Sequence, residues 1–102
     1  MLRNIFTVLT PMATHTILLL IAHFFVHQVL LSFDAFNTEY NYDFVSVYDG
    51  SDTSAPLLGS FTGPEIPANI RSNGHSMTVR MISDDSESRE GFSATVTYMG
   101  KL

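Results

Sequence analysis

Beyond Gln28, apolar and polar residues alternate along the chain with a period of two. Val29, Leu31 and Phe33 share one face of "VLLSF", Val45 and Val47 one face of "FVSVYDG", Met77, Val79 and Met81 one face of "SMTVRMI", and Phe92, Ala94, Val96 and Tyr98 one face of "GFSATVTY". Successive side chains of a strand point to opposite faces, so each run predicts a strand with one buried face. Between the runs lie Asp49-Gly50, Gly63-Pro64, Pro67 and Asn73-Gly74. Asp-Gly predicts a turn in which the aspartate caps its own backbone and the glycine takes positive φ, and Asn-Gly predicts a hairpin with positive φ at both central positions. Short strands punctuated in this way predict an all-β antiparallel sandwich or barrel.

The first third of the chain has another character. No Asp, Glu, Lys or Arg occurs from Asn4 to Phe33, and apolar density peaks in "TILLLIAHFFVHQVLL". Arg3 followed by Ile17 to Ala22 resembles the charged and apolar regions of a secretory signal, although no small-x-small cleavage site follows Ala22 and Pro11 would break a helix begun at the N-terminus. Residues 12–31 are about as long as a membrane-spanning helix requires, which makes an uncleaved anchor and membrane contact the natural variant. His15, His23, His27 and Gln28 fit poorly against hydrocarbon. The alternative is that these residues are buried strands or a core helix, because a short apolar run cannot be typed by periodicity. His23 and His27 lie one helical turn apart, a spacing that suits a shared metal ion but lacks further ligands.

A chain of 102 residues, 45% hydrophobic and 15% charged, is sized for one domain. All ten acidic residues fall between Asp34 and Glu90, and the formal net charge is −5, which disfavours a nucleic-acid partner. The absence of cysteine removes disulfides, thiolate metal sites and cysteine nucleophiles together. No Asn-x-Ser/Thr sequon is present.

Acidic residues concentrate at three places: Glu39 with Asp43, the turn from Asp49 to Asp52, and "SDDSESREGF" from Ser83 to Phe92. Calcium takes six to eight hard oxygen ligands with no fixed linear spacing, so loops of this kind suit it, as they also suit plain solvation. Catalysis has little support. Ser72, His75 and Ser76 lie close together around the Asn-Gly turn without a group to orient them, and Glu39 with Asp43 as an acid and base pair would need a sugar cleft that a small sandwich hardly offers.

The succession "LSFDAFNTEYNYDFVSVYDG" and "APLLGSFTGPEIPANIRSNGHSMTVRMISDDSESREGFSATVTY" resembles the C-terminal two thirds of a CUB domain, with some likeness to the attractin-type variant. Phe33, Phe36, Glu39, Tyr42-Asp43, Asp49-Gly50, Leu57-Leu58-Gly59, Gly63, Ser72, Ser83-Asp84 and Gly91-Phe92 occur in the family's order. The resemblance implies a CUB-like jelly roll over residues 28–99 with a short tail at 100–102. The N-terminal strands of the family are apparently missing, and residues 1–27 read as a signal peptide, a signal anchor or a mispredicted start. It also implies an extracellular or membrane-anchored location and a non-catalytic role in binding a protein or glycan. In the calcium-binding subset the ligands correspond here to Glu39, Asp43 and Asp84, with the carbonyl of Ser86 as a further donor.

Two departures stand out. Cysteines that the family places before the Tyr-Asp strand and before the following glycine are replaced here by Tyr40 and Thr62. The family's first cysteine pair, Ser-Pro turn and tryptophan have no counterpart in residues 1–27. The sequence therefore predicts a calcium-dependent binding module whose acidic loops meet Lys or Arg of an extracellular partner. A structural fragment without binding activity of its own is the second reading, and a small carboxylate hydrolase the last.

Overall fold

The computed structural model describes residues 2–8, 15–22, 26–83 and 91–100, with side chains from Leu18 onward. Eight strands follow one another: β1 (Leu2–Val8), β2 (His15–Ala22), β3 (Gln28–Asn37), β4 (Phe44–Tyr48), β5 (Leu57–Phe61), β6 (Ile70–Arg71), β7 (Ser76–Ser83) and β8 (Gly91–Met99). They form two four-stranded sheets, ordered β1-β8-β3-β6 and β2-β7-β4-β5, with every neighbouring pair antiparallel. This is the all-β sandwich that the alternation predicts, and among the described residues no helix is long and apolar enough to cross a membrane.

The core lies between the sheets and is filled by the residues that the period of two singles out. Val29, Leu31 and Phe33 from β3 and Phe92, Ala94, Val96 and Tyr98 from β8 face Val45 and Val47 from β4 and Met77, Val79 and Met81 from β7, all of them buried. Ile21 from β2 and Val26 join the same cluster. Residues 2–22, an apolar stretch ahead of the alternating region, carry a strand for each sheet. β1 lies beside β8 from Leu2↔Tyr98 to Val8↔Phe92, and β2 lies beside β7 from His15↔Ser83 to Ala22↔Ser76.

An irregularity in β3 shapes the aromatic part of this core. The register of β3 against β8 passes from Phe33↔Ala94 to Ala35↔Ser93, leaving Asp34 as the extra residue of a bulge. The shift re-phases the strand, so that Phe36, three positions after Phe33, is buried again while Asp34 and Ala35 are exposed. Phe33 then meets Phe36, Phe61 and Phe92 edge to face at centroid distances of 5.4, 6.1 and 5.5 Å. Such geometry is favoured by the ring quadrupoles.

Two turn expectations are corrected. Positive φ among the described residues occurs at Asn41, Gly63, Gly91 and Gly100, not at Asn73, Gly74 or Gly50. Asn73-Gly74 joins β6 and β7, which belong to different sheets, so the connection crosses the sandwich and has no hairpin to close. Asp49 caps another segment, accepting the backbone N–H of Asn73 at 2.9 Å and its side-chain amide. Gly50 is needed for space, since a Cβ there would come within 2.6 Å of the Ala55 methyl.

Candidate metal centre

The turn carrying Glu39 and Asp43 is itself a connection between sheets. β3 ends at Asn37, opposite Gly91, and β4 begins at Phe44, opposite Ile82. These pairings set residues 38–43 at one end of the sandwich together with Ser83 and Gly91. Asp49 and Asn73 clamp the other end.

Within the turn the backbone closes on Glu39. Tyr42 and Asp43 donate their N–H groups to the Glu39 carbonyl at 3.1 and 2.8 Å, and Asp43 Oδ2 accepts the Glu39 N–H at 2.9 Å. Asn41 takes φ 65° at the crest, a conformation its short polar side chain tolerates. A neighbouring loop locks the turn in place. Thr62 Oγ1 accepts the Asn41 N–H at 2.9 Å and donates to the Glu39 carbonyl at 3.2 Å, while Gly63 and Thr38 exchange bonds of 2.9 to 3.2 Å. Gly63 has φ 95°, and a Cβ there would stand 3.2 Å from the Tyr40 ring. Tyr40 and Thr62 are the positions at which the resemblance places a cysteine pair, so hydrogen bonds and a ring contact join the two loops where a covalent bridge is absent.

The result is a pair of carboxylates withdrawn from water: Asp43 is fully buried and Glu39 is 9% exposed. Burying a carboxylate is costly unless it is hydrogen-bonded, paired or holds a cation. One further group belongs here. Ser83, the last residue of β7, is 1% exposed, and its hydroxyl has no hydrogen-bond partner among the described residues. The pairing of β4 with β7 ends at Phe44↔Ile82, and Asp43 and Ser83 are the next residues of the two strands at that end. The sequence marks Ser83 only as the start of the late acidic loop, although it continues the inward series of Met77, Val79 and Met81.

Glu39 and Asp43 share one turn, in which Asp43 Oδ2 accepts the Glu39 N–H. Asp84 and Ser86 lie outside the described residues, as does His23 of the histidine pair, and no three His, Cys, Asp or Glu residues cluster among the described ones. The acidic turn at Asp49 to Asp52 is closed by its own bonds. Ser54 donates its hydroxyl and its backbone N–H to Asp52 Oδ1, and these two bonds, the hydroxyl's first, hold the Asp52 carboxyl below its ordinary pKa. Ser72 is fully buried, donates its hydroxyl proton to the Gly74 carbonyl at 2.7 Å and accepts the Val29 N–H at 2.8 Å. It ties β3 to the crossing loop, and that proton is directed to backbone and not to His75.

Residues 20–96 match the family model described as CUB domain. The chain belongs to the CUB domain family. It is 39% identical over 74 residues to the dorsal-ventral patterning protein tolloid of Drosophila melanogaster, an alignment covering 69% of this chain and 7% of that protein. It is 48% identical over 58 residues to cubilin of Homo sapiens, covering 57% of this chain and 2% of that protein. This CUB chain therefore spans a small fraction of these relatives. Its fold is similar to the crystal structure of the MASP-1 CUB2 domain bound to Ca2+, with a TM-score of 0.78 over 92% of this chain and 90% of that one at 23% identity.

Proposed function

We propose that this CUB domain is a non-catalytic extracellular binding module that holds calcium at the Glu39–Asp43 end and engages a protein or glycan presenting Lys or Arg there. The observation that carries the reading is the pair of buried acidic residues in one closed turn, with the buried Ser83 hydroxyl, unpartnered among the described residues, at the same end of the sandwich. An all-oxygen donor set at the end of a sandwich suits a hard cation. Glu39 and Asp43 would hold the ion, joined by Asp84 and the Ser86 carbonyl, which follow Ser83 in the chain. When bound, calcium supplies positive charge that offsets the cost of withdrawing these carboxylates from water. The backbone of residues 39–43 fixes the direction of Asp43 through the Glu39 N–H, so less ordering is required on binding. With the late acidic loop held in place, its remaining carboxylates present oxygen acceptors to a cationic side chain, a charge-assisted contact.

The test is thermal unfolding of the whole chain in calcium and in chelator, with Asp43→Asn as control. Extracellular calcium modules bind at roughly 0.1 to 1 mM, and at about ten times Kd a ligand of the folded state adds about 1.4 kcal/mol, or several degrees in the midpoint. A rise in the native chain that disappears in the variant is expected. Equal midpoints with and without calcium in the native chain would reject the reading.

A further inference from the structure

Four strands form the edges of the two sheets: β1 and β6 in one, β2 and β5 in the other. An edge strand exposes a row of backbone donors and acceptors, and natural proteins blunt it with brevity, charge, proline or a bulge. Three of these edges carry such a device. β6 is two residues long, β1 includes Arg3, and β5 is short and pairs with β4 across a register shift. β2 carries none. It runs eight residues in unbroken register with β7, its sequence "HTILLLIA" holds no Asp, Glu, Lys, Arg or Pro, and no strand lies beyond it among the described residues.

The outer face of the same strand is apolar. Ile21 points into the core and Leu19 packs against it, so Leu18 and Leu20 alternate outward and are 58% and 61% exposed. A polar residue is expected at such positions on a solvated strand. We infer that β2 is the contact strand of a symmetric dimer, in which it pairs antiparallel with β2 of a second copy and the two sheets join into one of eight strands.

Charge and symmetry favour a second copy as the occupant. A chain of net charge −5 repels itself over its acidic loops, whereas the uncharged run from Asn4 to Phe33 includes all of β2. Two copies meet there with the least like-charge cost. An antiparallel strand pair about a two-fold axis is self-complementary and closes, leaving no further edge of this kind. With the axis at Leu19, Leu18 of each copy lies across from Leu20 of the other, and the two exposed leucines cover each other in cross-strand pairs.

The test is the molar mass of the full 102-residue chain by light scattering over a range of concentrations. The expected result is a mass of two 11.3 kDa chains that returns to one in Leu18→Lys/Leu20→Lys, with the thermal midpoint of the diluted chain kept. Leu18→Thr/Leu20→Thr, which retains strand propensity, is a second variant should the lysines unfold the strand, and it is also expected to run as a monomer. Amide hydrogen exchange on the native chain gives an independent reading, since residues 15–22 should gain protection with concentration while β4 does not change. A native chain that stays monomeric, a dimer indifferent to both variants, or open-ended assembly would each overturn the inference.

Discussion

Asp43 serves two purposes that substitution can separate. Its Oδ2 accepts the Glu39 N–H and shapes the turn, and its charge belongs to the candidate ion site. Asp43→Asn keeps a carbonyl oxygen for that N–H, so the calcium-free chain should lose less than about 1 kcal/mol while the calcium response disappears. Asp43→Ala leaves a buried donor unsatisfied and should cost about 1 to 3 kcal/mol even in chelator, as read from denaturant melts. Asp52 allows a pH test at the other end of the molecule. Its folded pKa is lowered by Ser54, so the stabilisation is present above the unfolded carboxylate pKa and is lost as pH falls through the lower, folded value. Ser54→Ala should return the Asp52 titration, followed by NMR, toward the ordinary range. At this scale the sequence was legible where a buried row alternates with solvated positions, as for Val45 and Val47. It was silent where a role depends on a partner distant in the chain: Thr62 reaching back to Asn41, or Asp49 reaching Asn73.

The strands were legible because one face of each is solvated, and Val45/Val47 or Met77/Val79/Met81 read directly as a buried row. The bulge at Asp34 was not. A strict period of two groups Ala35 with Phe33, and only the pairing with β8 reveals that Phe36 takes the inward place. That detail organises the aromatic cluster behind the candidate site, and Phe92→Ala, which removes the ring that Phe33 and Phe36 both touch, should cost about 3 to 5 kcal/mol in a denaturant melt. The Asn73-Gly74 expectation failed for a related reason: a dipeptide suited to a hairpin does not reveal that its flanking strands belong to opposite sheets. The lock between residues 38–41 and 62–63 makes an element-level prediction too. Thr62 bonds to both neighbours of position 40, which brings the two loops close enough for a bridge. Tyr40→Cys/Thr62→Cys should therefore oxidise readily, and the oxidised form should exceed the reduced form by about 3 kcal/mol, the usual benefit of closing a loop of roughly this length.

For the molecule as a whole, the least legible part is residues 2–22. A strand at the edge of a sheet normally shows polar residues on its outer face, and in β2 those places hold Leu18 and Leu20, so the alternation disappears and the run resembles a signal or anchor. In the structure Leu2–Val8 and His15–Ala22 add one strand to each sheet. β2 contributes Ile21 to the core, with Leu19 packed against it, and β1 lies along β8 from Phe92 to Tyr98. The two accounts give opposite outcomes for a chain beginning at Gln28. If residues 1–27 are only an address or an anchor, residues 28–102 should melt cooperatively near the midpoint of the whole chain. If they are structural, β7 and β8 become bare edges and the core between them opens to water. Small domains have little stability to lose, since their buried fraction is low and no disulfide compensates here. The expected outcome is that residues 28–102 show no cooperative transition by circular dichroism and aggregate through the newly exposed edges, while the full chain melts as one unit. Restoring cooperativity by supplying residues 1–27 as a separate peptide would place the effect in strand pairing and not in targeting.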